Sequence, residues 1–174
     1  MSVAWRCRAI ADRVASVSEP LAVSLHHLCE VPWWRREAAA LIHEEFWLTV
    51  PGASEDSMFE RLAQAAGSDR VPLCLLALHE GQLAGVVNLV DNDDEEHADW
   101  RPWLAGMVVA ERFRGRGVGS ALVRGLLTEC WKLGFERVYF GTDGPGFYTR
   151  LGAVPQLQPQ PRFWFMRFER PAPP

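Results

Sequence analysis

Met107-Val108-Val109-Ala110-Glu111-Arg112-Phe113-Arg114-Gly115-Arg116-Gly117-Val118-Gly119-Ser120-Ala121-Leu122 is the stretch on which the fold turns. The apolar run Trp103–Val109 reads as a buried strand. A glycine-rich turn follows it, and then Val118, Leu122, Leu126 and Leu127 recur at the spacing of a helix that Gly134 ends. Glycines at 115, 117 and 119 let the main chain bend sharply and let a ligand approach it closely. The first N–H groups of a helix have no partner inside the helix and sit at the positive end of its dipole. A strand, a glycine turn and a helix start, in that order, make an anion site, and a pyrophosphate suits it.

Three other readings of the turn compete with that one. A nucleotide-binding P-loop needs a Lys followed by Ser or Thr to close the turn, and none stands there. A dinucleotide fingerprint needs G-x-G-x-x-G, whereas Gly115-Arg116-Gly117-Val118-Gly119 places the last glycine one position early, with Ser120 in its stead. A bare flexible turn leaves the flanking strand and helix unexplained.

Working outward, residues 73–79 and 83–90 form two apolar strands around the turn Glu80-Gly81-Gln82. Residues 91–99 follow with six carboxylates and no Lys or Arg, which predicts a solvated loop. Earlier in the chain, residues 21–28 alternate as a first strand. One helix opens at Pro32 and stops before Pro51, and a shorter one starts at Ser54 and ends near Gly67. Downstream, the pattern gives a strand over 137–141, a short helix over 145–151 and two last strands, around 153–156 and 163–168. Residues 5–17 have the spacing of a marginal amphipathic helix, and residues 1–20 read as an extension ahead of a single domain over 21–174.

A chain of 174 residues with 48% hydrophobic content has room for one core. Eighteen basic against 22 acidic side chains give a net charge of −4, without the basic excess that grips nucleic-acid phosphates. Cys7, Cys29, Cys74 and Cys130 form no C-x-x-C pair, so a metal knuckle is not expected and buried reduced thiols are. Arg6, Arg8, Asp12 and Arg13 interrupt the apolar run that a signal peptide needs, and no segment reaches membrane-spanning length. A cytoplasmic protein with no membrane partner is the expectation.

Arg114-x-x-Gly117-x-Gly119 after a Val-Val strand resembles the Arg/Gln-x-x-Gly-x-Gly/Ala signature of the GNAT (GCN5-related) N-acetyltransferase superfamily. Phe147-Tyr148-Thr149-Arg150-Leu151-Gly152 is similar to that family's Phe-Tyr-x-x-x-Gly. The resemblance implies an α/β (α+β) fold: a mixed, mostly antiparallel sheet of about seven strands with about four helices, splayed between strands four and five. It implies acetyl-CoA as cosubstrate and no metal. Main-chain N–H groups over Arg114, Gly115, Arg116, Gly117, Val118, Gly119 and Ser120 are expected to bind the CoA pyrophosphate. Met107, Val108 and Val109 are expected to hydrogen-bond the pantetheine as an added strand, and of Arg112, Arg114 and Arg116 the last two to add positive charge. Tyr148, one of only two tyrosines, is the catalytic candidate: a phenol near the sulfur can donate a proton to the leaving thiolate.

The chain departs from the family where Thr142-Asp143-Gly144-Pro145-Gly146 precedes the Phe-Tyr pair, and where Ala105 or Gly106 stands in place of the Glu that some relatives carry. The proton acceptor for the attacking amine is therefore open among Glu44, Glu45, His43, Asp91 and Asp99. Expected acceptors are a small amine or a protein or peptide amine, drawn by the acidic run 91–99 and by Trp33, Trp34, Trp47, Trp100 and Trp103. A homodimer through Phe163-Trp164-Phe165-Met166 is a further expectation. The alternative is an acyl-CoA-binding module without turnover.

Overall fold

The computed structural model describes residues 20–172, and the amphipathic segment expected over 5–17 lies outside them. Seven strands form one sheet: β1 (Ser24–His27), β2 (Leu73–His79), β3 (Gln82–Val90), β4 (Trp103–Val109), β5 (Arg137–Thr142), β6 (Val154–Gln160) and β7 (Phe163–Glu169). Their spatial order is β1-β2-β3-β4-β5-β7-β6, and every pairing is antiparallel except β4 with β5. Four α-helices cover it: α1 (Arg35–Ile42), α2 (Glu55–Leu62), α3 (Val118–Lys132) and α4 (Pro145–Thr149). This is the fold that the resemblance implies.

Strand alternation sorts the core between two faces. Leu73, Leu75, Val87, Leu104 and Phe140 pack with Leu122 and Leu126 of α3. Cys74, Leu76, Val86, Ala105 and Val108 point the other way, onto Ala38, Ile42, Met58 and Leu62 of α1 and α2. The hairpin turns tightly because Glu80 and Gly81 both take positive φ, 47° and 71°, which suits the right-handed twist of its strands. At Gly85 a Cβ would stand 2.7 Å from the Val108 carbonyl and 2.9 Å from Leu122 Cδ1, so glycine there lets β4 and α3 close on β3.

Three expectations change in detail. The first strand keeps only four residues, because the Leu21 N–H donates to the Arg116 carbonyl (2.9 Å) and the Ala22 carbonyl accepts from His79 Nδ1 (2.8 Å). The helix expected from Pro32 is divided into a 3-10 turn (Pro32–Trp34), α1 and a π-helical turn (His43–Trp47). Ser54 does cap α2, with Ser57 returning the bond, but α2 ends at Leu62 rather than near Gly67.

The acidic run is the solvated loop expected, with Asp91, Glu95, Glu96 and Asp99 exposed, but it is also folded on itself. Asp93 is buried, and Asn92 Nδ2 donates to the carbonyls of His97 (3.0 Å) and Trp100 (3.2 Å). Asp94 takes the Glu96 N–H at 2.9 Å and faces the His97 ring at 3.2 Å, and Asp91 pairs with Arg101. Side chains of Asp and Asn hold the backbone here in place of water.

The segment Phe163-Trp164-Phe165-Met166 is in β7, which lies between β5 and β6 and so is not an edge of the sheet. The outer strand on that side is β6, exposed throughout and carrying Pro155 and Pro159. Cys74 and Cys130 are buried, and burial pushes the Cys130 thiol up to about 12 and the Cys74 thiol higher still. Among the described residues no helix is long and apolar enough to cross a membrane, and no cluster of three metal-ligating side chains occurs.

Candidate active site

The parallel pairing of β4 with β5 is confined to Trp103 opposite Tyr139, with the Tyr139 N–H donating to the Pro102 carbonyl at 2.9 Å. On its other side β4 keeps pairing with β3 as far as Val109, but with a bulge in which Gly106 and Met107 stand opposite the single residue Val87. Gly106 takes φ +54° to make it. The bulge bends β4 away from β5 and leaves its far edge open beyond the first residues.

A cleft of about 190 Å³ occupies that opening on the α3 face. Its walls include Met107 and Val109 of β4, Arg114, Gly115, Gly117, Val118, Gly119 and Ser120 of the glycine turn and helix start, and Tyr148 of α4. Val108 points to the opposite face, into the α1 and α2 core, and Arg116 also lies outside the walls. Its carbonyl is held by the Leu21 N–H.

The turn is shaped for a ligand with charge. Gly115 and Gly117 take φ +72° and +84°, which a side chain would strain. A Cβ on Gly119 would sit 3.3 Å from Phe147 Cζ and 3.6 Å from Val109 Cγ2, so glycine leaves room here that a side chain would take from the cleft. Gly117 is the N-cap of α3, and no side chain among the described residues caps the helix. Its first N–H groups are therefore left for a ligand, and an anion at this dipole end gains roughly 0.3–1 kcal/mol when exposed and up to about 2 when partly buried. The residues fit a pyrophosphate.

Tyr148 is fully buried, 4.4 Å from the Phe140 ring and 4.9 Å edge-on from Phe147. That packing fixes its ring against the cleft opposite Met107 and Val109. Proline at the first turn starts α4, and the glycine-rich approach that replaces the family's usual residues leaves it five residues long. Four further wall residues escaped the sequence reading: Phe113, Phe147, Arg150 and Leu151. Three of them lie in the quoted Phe147–Gly152 motif, so a cation two residues after the tyrosine was a usable signal for Arg150.

The proton-acceptor candidates scatter. Glu45 Oε2 accepts from Arg114 Nη2 at 2.8 Å. Glu44 lines a separate groove with Glu37, Trp34 and Arg112, and none of His43, Asp91 and Asp99 lines the cleft. The tryptophans scatter too: Trp33 is exposed, Trp47 is buried by α1, and Trp100 and Trp103 join His97, Tyr139, Phe163 and Phe165 in an aromatic cluster.

The model of the acetyltransferase (GNAT) family matches residues 39–153. The chain belongs to the GNAT acetyltransferase family. The match begins within α1 and runs past the glycine turn and Tyr148. A mycothiol acetyltransferase from Nocardia farcinica is 39% identical over 91 residues, 43% of this chain and 28% of that protein. The N-alpha-acetyltransferase MAK3 of Arabidopsis thaliana is 30% identical over 87 residues, 47% of this chain and 45% of that protein. The matches thus span less than half the length of either curated relative. An aminoglycoside 6'-N-acetyltransferase solved with coenzyme A superposes with a TM-score of 0.67 at 16% identity, covering 87% of this chain and 99% of the other, which shows the shared GNAT fold.

Proposed function

We propose that residues 21–174 form the catalytic domain of an acetyl-CoA-dependent N-acetyltransferase, which transfers acetyl directly to a primary amine of a small molecule or of a protein or peptide. The observation that carries this reading is the single cleft joining the uncapped start of α3, the open edge of β4 and the buried Tyr148. Acetyl-CoA supplies an activated thioester there. The N–H groups over 115–120 hold its diphosphate, the Arg114 N–H expected with them being taken by the Glu111 carbonyl at 3.2 Å, and the free edge of Met107 to Val109 orients the pantetheine. Tyr148 Oη donates a proton to the leaving sulfur. Arg150 adds a guanidinium at the mouth.

The acceptor enters from the α1 and α2 face, so that amine and thioester meet across the β4–β5 opening. A cytoplasmic amine is the partner in this reading, rather than nucleic acid or membrane. One curated relative is named a mycothiol acetyltransferase and the other an N-alpha-acetyltransferase, which supports acetyl transfer as the reaction.

Calorimetric titration with acetyl-CoA, with NADH and ATP as controls, tests the cleft: micromolar binding of acetyl-CoA alone is expected, and no binding would end the enzyme reading. CoA release across an amine panel then tests turnover. One observation favours a second reading, an acyl-CoA-binding module without turnover: β4 carries no ionisable group along the opening. In that case acetyl-CoA binds and no amine releases CoA above background.

A further inference from the structure

We infer that Glu45, in the π-helical turn after α1, is a positioning residue for the cofactor cleft, holding the glycine turn in its binding shape through Arg114. The inference rests on the acetyl-CoA reading above. Arg114 opens the turn, and its side chain runs back rather than out: Nε donates to the Val109 carbonyl at 2.9 Å and Nη2 to Glu45 Oε2 at 2.8 Å. One planar fork thus ties the last residue of β4, the first residue of the turn and the helix on the opposite face. The pair is partly sheltered, with 30% and 23% of the two side chains exposed, so it is screened less than a surface pair.

The turn needs such a tie. Gly115 and Gly117 give it positive φ but also make it soft, and a soft turn spends binding energy on being ordered. It is anchored from two sides. The Leu21 N–H fixes the Arg116 carbonyl, and Arg114 fixes the start, but a guanidinium holds direction only while both ends of its fork are taken. Glu45 takes the second end. Its neighbour Glu44 faces the separate groove with Glu37, so within Glu44-Glu45 only the second carboxylate reaches the cleft side. The π-helical geometry at His43–Trp47, a form that recurs at functional sites, carries that carboxylate. Arg114 therefore serves the turn through its side chain, its own N–H being given to the Glu111 carbonyl at 3.2 Å, and Glu45 is committed to Arg114 rather than to the acceptor's proton.

Titration of CoA into the wild type and four variants tests this. Glu45→Ala is expected to weaken CoA binding about tenfold and Glu45→Gln, which keeps an acceptor, about threefold. Arg114→Lys keeps the charge, loses the fork and should match Glu45→Ala. The double variant Glu45→Ala with Arg114→Lys should bind no more weakly than Arg114→Lys alone, which a general loss of fold would not produce. Wild-type affinity in Glu45→Ala or in Arg114→Lys, or losses that add in the double variant, would overturn the proposal. Should Glu45→Ala fail to fold, Arg114→Lys and Glu45→Gln carry the test, and wild-type affinity in either overturns it. A wild type that does not bind CoA removes the acetyl-CoA reading and this proposal together, whereas binding unaffected by the variants removes this one alone.

Discussion

The cofactor cleft and the aromatic cluster flank the same divergence of β4 from β5, yet they are made of different material. On the α3 face a bulged strand edge, three glycines and a helix start bring main chain to the wall, beside apolar side chains such as Phe147 and Tyr148. On the other face the material is side chain: His97 stacks on Trp100 at 3.9 Å, Trp100 on Tyr139 at 5.3 Å, and Phe165 meets Trp100 and Trp103 edge-on. In the function proposed above, the main chain of the turn takes the diphosphate. A packed cluster of side chains can change without moving the backbone, and in the same proposal it lies on the face from which the acceptor enters.

Substitutions can break or sharpen that contrast. Replacing Tyr148 with Phe removes one hydroxyl and should lower kcat by about 10²–10⁴-fold while the Kd for acetyl-CoA stays unchanged, as stopped turnover and calorimetry would show; equal rates would remove it as acid. Gly117→Val puts a β-branched residue at φ +84°, a strain of about 1–3 kcal/mol or more, and should weaken acetyl-CoA by at least tenfold. Trp100→Ala should do the reverse. It is expected to cost about 2 kcal/mol of stability in a denaturant titration and to leave acetyl-CoA affinity within twofold, because its stack is on the other face. The smallest effect concerns the thiols: with the Cys130 thiol pushed up to about 12 by burial, it should resist alkylation in the folded protein at pH 8 and react only on unfolding, as should Cys74.

The same contrast explains what could be read in advance. Glycine spacing encodes backbone shape directly, so the turn, α3 and the run from β2 to β4 were legible from residues 73–122. The Phe147–Gly152 motif likewise marked Tyr148, because a short helix opened by Pro145 leaves few places for it. Contacts between remote side chains left no such trace. Nothing near Glu45 announces that Arg114, 69 positions later, will take its carboxylate. Nor does the run of carboxylates at 91–99 reveal that Asn92 will fold it onto Trp100. Charge runs read as solvated because their sequence shows charge and hides hydrogen-bond partners.

The strands that end the sheet have a practical consequence. β1 offers four residues and β6 is interrupted by Pro155 and Pro159, each lacking an N–H to give. Neither border is a good template for another strand. Concentrated solutions should therefore resist growth of sheets from molecule to molecule, and the long titrations that an unidentified acceptor demands can be run at high protein concentration.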